Sequence, residues 1–131
     1  MATLSEGQQV RRGVKCRRHR TAEHEARRIL ERQGFSAVLR VIDPAVPASM
    51  VAWSGTGGVH VFRVVSTRRA IANASEAAAL FREEIEQLRD IPRTVGGSVN
   101  LWVRTGRNGW RMYRVFPGGI TNVEAPDVVR D

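Results

Sequence analysis

Between Thr21 and Gly34 the apolar residues recur every three or four positions, and from Phe35 onward they alternate or run together. A chain that switches from a helical to a strand period, and later switches back, has to lay helices against a sheet. Thr21 is placed to cap a helix on which Ala22, Ala26, Ile29, Leu30 and Gln33 share one face, and Gly34 stops it. Residues 35–42 then read as a strand, closed by Asp43-Pro44 and Pro47. A short strand at 50–53 and a longer one at 59–66 flank Ser54-Gly55-Thr56-Gly57-Gly58, which reads as a hairpin turn. A second helix is predicted at 75–89, burying Ala78, Phe81, Ile85 and Leu88. Pro92 and Gly96-Gly97 interrupt the chain before two strands at 99–104 and 110–116, whose connection contains Asn108-Gly109, and 120–123 adds an edge strand. Without that edge strand the predicted order is αβββαββ, an α/β domain.

Length allows one such domain: 131 residues leave no room for a second substrate-binding unit. No apolar run approaches the roughly 18 residues of a membrane span, and the first residues lack the apolar core of a signal peptide, so a soluble cytoplasmic protein with no membrane partner is expected. A single cysteine, Cys16, excludes an internal disulfide and a thiolate-rich metal site. The net charge is +8, carried by twenty Arg and one Lys. Such a charge on a small domain favours polyanions. The guanidinium fork suits phosphate and base edges, although an Arg-for-Lys bias is equally the mark of a GC-rich genome. The charge is segregated: residues 1–34 carry nine basic and four acidic groups, whereas 73–90 carry two and five. Residues 1–20 have no apolar period and end in Lys15, Arg17, Arg18, His19 and Arg20, which reads as a basic arm ahead of a domain at 21–123, with 124–131 as a polar tail.

The spacing Glu23-x-x-Ala26-x-x-x-Leu30-x-x-x-Gly34-Phe35 resembles the first helix of the PD-(D/E)XK nucleases, and within them archaeal Holliday junction resolvases. The similarity extends over residues 21–116, through the run Val59-His60-Val61-Phe62-Arg63-Val64-Val65-Ser66-Thr67-Arg68 and the closing hairpin around Trp102 and Trp110. It implies a three-layer restriction-endonuclease-like core, a mixed sheet flanked by helices, and a homodimer. It also implies a site in which the helix glutamate, an aspartate on the second strand and an acid-x-Lys pair on the third hold divalent metal that activates water against a phosphodiester.

Position by position, Glu23 matches the helix glutamate, but Ser49 stands in place of the aspartate, Arg63 in place of the second acid and Val65 in place of the lysine. A hard cation needs anionic oxygens, so one glutamate beside an arginine is a poor site. The resemblance therefore implies the fold with its chemistry lost: a catalytically inactive protein, without metal or cofactor, that binds DNA through Lys15, Arg17, Arg18, Arg20, Arg63, Arg68 and Arg69. Arg63 is expected to pair with Glu23 or to meet a backbone phosphate. Two other readings stay open. Asp43 with Glu23 would rebuild a migrated Mg²⁺ site and an active endonuclease, or the domain is a non-catalytic protein-interaction subunit.

The remaining candidates are weaker. His19, His24 and His60 lack metal-ligand spacing, and Gly55-x-Gly57-Gly58 precedes a strand and no Gly-Lys-Ser/Thr, so it is no phosphate loop. Trp53, Trp102 and Trp110 are the aromatic residues able to stack on bases, with core packing the better expectation for Trp102 and Trp110.

Overall fold

The computed structural model describes residues 21–123, apart from 54, 56, 107 and 108. Lys15, Arg17, Arg18 and Arg20, with Cys16 and His19, lie outside the described residues. Helix α1 occupies residues 21–32, so Thr21, expected as its cap, is already helical, and Gly34 closes it with a positive φ of 90°. Then come β1 (Ala37–Arg40), β2 (Met50–Trp53), β3 (Val59–Ser66), α2 (Ala74–Leu80), α3 (Arg82–Arg89), β4 (Ser98–Thr105), β5 (Gly109–Phe116) and β6 (Gly119–Val123). The six strands form one mixed sheet in the order β1-β2-β3-β4-β5-β6. Among the described strands only β3 and β4 run parallel, joined by the α2–α3 crossover. This is the α/β architecture predicted, with two refinements.

The helix expected at 75–89 bends. Asn73 caps α2 by accepting from the Glu76 N–H, and Phe81, at φ −113° and ψ 34°, leaves helical geometry between the two halves. Helical bonds still run through it, from Phe81 N to Ala77 O and from Ile85 N to Phe81 O, both 2.9 Å. Strand β1 is shorter than the expected 35–42. The chain leaves the sheet after Arg40 and returns at Ser49, whose carbonyl accepts from Val41 N at 2.9 Å.

Strand alternation divides the core in two. On one face Ala22, Ala26, Ile29 and Leu30 of α1 cover Val38, Met50, Ala52, Phe62, Val64, Trp102, Trp110 and Met112. On the other, Ala77, Phe81, Ile85 and Leu88 of α2–α3 pack on Val65, Val99, Leu101, Val103, Tyr113 and Val115. An edge-to-face chain of rings, Phe62 to Trp102 to Trp110, runs through the first face at centroid separations of 4.9 and 5.9 Å. Trp102 and Trp110 are therefore core residues, as expected. The glycine pairs have a packing role as well as a turn role. A Cβ on Gly58 would lie 2.5 Å from Gly97 N and against Val95 O, and one on Gly97 would strike Val59 O. Two backbones meet there, at the entry to the parallel strand pair.

Candidate nucleic-acid interface

Glu23 lies on α1 beside the first core face. Its carboxylate is 3.5 Å from Arg40 Nε on β1, and the two side chains, with His24, Arg27, Val38 and Met50, border a cavity of about 40 Å³. Arg63 is elsewhere. It sits on β3 between Val61 and Val65, opposite Leu101 in register, and these neighbours belong to the α2–α3 face. The expected Arg63–Glu23 pair is thus replaced by Arg40–Glu23, because the sheet separates the two groups. Nε of Arg63 is buried with no hydrogen-bond partner among the described residues.

Ser49 and Val65 are occupied by packing. Ser49 is 5% exposed, and its Oγ accepts from Val64 N at 2.9 Å while its own N–H reaches Phe62 O at 2.7 Å. The side chain completes the ladder of β3 where β2 has stopped. Val65, 1% exposed, is a core residue beneath α2–α3. Asp43 accepts from Ala45 N at 2.9 Å through Oδ1, closing the turn after β1. It is an exposed strand terminator, and Glu23 is engaged with Arg40.

A different constellation forms where the parallel strands β3 and β4 end. Ser66 pairs in register with Arg104, and α1 crosses above them. Together Glu25, Ser66, Thr67, Arg68, Arg104 and Gly106 line most of an open cleft of about 310 Å³. Glu25 is held from two sides, accepting from Arg104 Nε at 2.9 Å and from Trp110 Nε1 at 3.1 Å. Arg104 also donates through Nη1 to the carbonyls of Thr105 and Gly109 at 3.0 and 3.2 Å. Buried Ser66 Oγ has no partner among the described residues. Arg68 stands exposed at the rim and Arg69, also exposed, borders a neighbouring cavity with Ile71 and Glu76, while a bond from Arg69 N to Thr67 Oγ1 at 3.1 Å shapes the turn that carries both. The site thus joins one fixed guanidinium, that of Arg104, with an unsatisfied hydroxyl and two nearby solvated arginines, the donor types that bind phosphate oxygens.

Sequence reasoning found Arg68 and Arg69 from their position after β3. It grouped Arg104 with them as a possible basic patch but did not join Glu25 and Ser66 to it, since the register that puts Ser66 beside Arg104 comes from parallel pairing across a long crossover. At the opposite end of β3, His60 Nδ1 lies 2.7 Å from Ser98 Oγ, and Asn100 Nδ2 donates to the same oxygen at 2.8 Å. Burial, and then the Arg114 charge, lower the His60 pKa below its ordinary value. Trp53 alone of the three tryptophans is exposed, at 36%.

Hjc of Archaeoglobus fulgidus, a Holliday junction resolvase from an archaeal hyperthermophile, superimposes with a TM-score of 0.51, over 83% of this chain and 88% of that one, at 20% identity. The fold is restriction-endonuclease-like. No protein-family model and no curated protein matches the sequence. Among the described residues, no helix is long and apolar enough to cross a membrane.

Proposed function

We propose that this chain is a nucleic-acid-binding protein on a nuclease fold whose catalytic positions have been given over to packing, and that it grips the phosphate backbone of DNA with arginines. One observation carries the reading. The positions matched by sequence to the two acids and the lysine of a PD-(D/E)XK nuclease hold a hydroxyl tied to the Val64 backbone and, on the sheet face away from Glu23, a guanidinium and a core valine, while the β3 side chains on the Glu23 face are His60, Phe62, Val64 and Ser66, none of them an acid or a lysine. The fourth position, Glu23, is engaged by Arg40 at 3.5 Å.

In this reading phosphates are met by Arg68 and Arg69, by the Ser66–Arg104 cleft that Arg68 borders, and by Lys15, Arg17, Arg18 and Arg20 of the N-terminal arm. Arg63 provides a further cation on the other face. DNA is favoured over other polyanions because the neighbouring fold belongs to a Holliday junction resolvase, a protein named for branched DNA. Two copies acting together on one duplex is part of the proposal, and sedimentation gives the mass directly.

The test is incubation of the full chain with four-way and linear duplex DNA in Mg²⁺ and in Mn²⁺. Retarded, uncut DNA is expected. Cleavage that disappears in a Glu23→Gln variant would overturn the non-catalytic reading in favour of a migrated site.

A further inference from the structure

The face of the sheet opposite α1 is covered over only part of its width. Among the described residues, helices α2 and α3 pack on β4, β5, β6 and the second half of β3, where Val65 is buried, leaving β1, β2 and the start of β3 without a helix above them. Antiparallel strands with one face in water normally turn polar side chains outward. Here the registers bring Ala37, Trp53 and Val59 into one row, and Leu39, Val51 and Val61 into the next. Every one of these six side chains is apolar. Leu39 is 54% exposed and Trp53 is 36% exposed. The one charged side chain next along this face is Arg63, whose buried Nε lacks an acceptor among the described residues.

Size and charge restrict what fits. Three strands ~4.8 Å apart and about four residues at ~3.3 Å each make a face of roughly 200 Å². A stable protein partner, a second copy included, buries about 800 Å² on each side. The face is therefore too small to hold a protein by itself, but it matches the area of one or two nucleobases. The chain is positively charged overall, at +8, and Arg63, the cation next along this face among the described residues, points to an anionic or acceptor-rich ligand.

We infer that the β1–β2–β3 face is a stacking platform for unpaired bases of single-stranded DNA, with Trp53 as its aromatic contact and Arg63 as its acceptor-seeking donor. This rests on the nucleic-acid reading above and adds a second mode to it: the arginines at the end of β3 hold phosphates of any strand, whereas the platform takes only bases freed from pairing. Stacking on an aromatic side chain is open to every base, so little sequence preference follows.

The experiment titrates the full chain with oligo(dT) and, separately, with a blunt duplex, following both tryptophan fluorescence and DNA anisotropy. Oligo(dT) is expected to quench the fluorescence. Trp53→Ala is expected to remove the quench and weaken oligo(dT) binding about tenfold, the order of one base–aromatic stack, while duplex affinity stays within about twofold. Leu39→Ser, at the most exposed position, keeps the test independent of any loss of folding at Trp53 and is expected to weaken oligo(dT) alone. If oligo(dT) binds and neither variant weakens it, the platform is refuted while the phosphate grip stands. If neither DNA binds, the nucleic-acid reading itself fails, and the platform with it. A sedimenting dimer that Leu39→Ser dissociates and oligo(dT) does not disturb would assign the face to a second copy and overturn the inference.

Discussion

Ser49→Ala separates a residue serving the fold from a residue serving a site. In the structure Ser49 Oγ is the acceptor for the Val64 N–H at 2.9 Å, at a point where β2 no longer supplies a backbone carbonyl. The second contact, from Oγ to Val64 O at 3.5 Å, is at the limit of hydrogen bonding and adds little. Removing the hydroxyl leaves a buried N–H with no acceptor, which costs about 1–3 kcal/mol, and the cavity left by one oxygen is too small for water to repair the loss. We expect about 2 kcal/mol of destabilisation. For a domain of this length each kcal/mol moves Tm by about 3–5 °C, so the melting temperature should fall by about 6–10 °C in calorimetry. DNA affinity at a temperature where the variant is folded should be unchanged. A variant that keeps its Tm within about 1 °C, or that loses DNA binding while fully folded, would refute the assignment of Ser49 to the β3 ladder.

Further outcomes follow from other parts of the structure. Gly58→Ala and Gly97→Ala each push a Cβ into backbone atoms across the β3–β4 entry and should each cost about 3 kcal/mol in urea unfolding, whereas Gly55→Ala, with open space around it, should be near neutral. Glu25→Gln removes the counter-charge of Arg104 from the cleft. It should lower stability by about 1 kcal/mol and raise duplex affinity several-fold, and a loss of both would place Glu25 among the DNA contacts. His60 is held below its ordinary pKa of 6.5 by burial and then by Arg114, so the unfolded chain binds its proton more readily. Its contribution to stability is present above that value and lost as the pH falls through it. Urea midpoints at pH 7.5 and 5.5 should differ more in the wild type than in His60→Asn.

The periodicities of the helical and strand segments carried most of the fold. Ala22, Ala26, Ile29 and Leu30 on α1, and Phe81, Ile85 and Leu88 on α2–α3, are the residues the two cores use. The edge strand β6 was visible in 120–123. The bend at Phe81 was not, since no proline or glycine marks it. Less of the site was legible. Alternation put Arg63 and Val65 on one face of β3, but only the layering of α1 and α2–α3 on opposite sides shows that Glu23 faces the other. Glu25 carries no local signal, because its partners Arg104 and Trp110 are 79 and 85 residues away in sequence. The chain order of residues does not encode which side of a sheet a crossover covers, and the uncovered Leu39 and Trp53 depend on that alone.

The salt dependence of duplex binding bears most directly on the phosphate grip. Anisotropy titrations of a labelled duplex from 50 to 300 mM NaCl should give a straight line of log affinity against log salt, with a slope of about −0.9 for each phosphate neutralised. Arg68→Ala and Arg69→Ala should each reduce the magnitude of that slope by about 1. An affinity that does not change with salt, or slopes that survive both substitutions, would contradict the account.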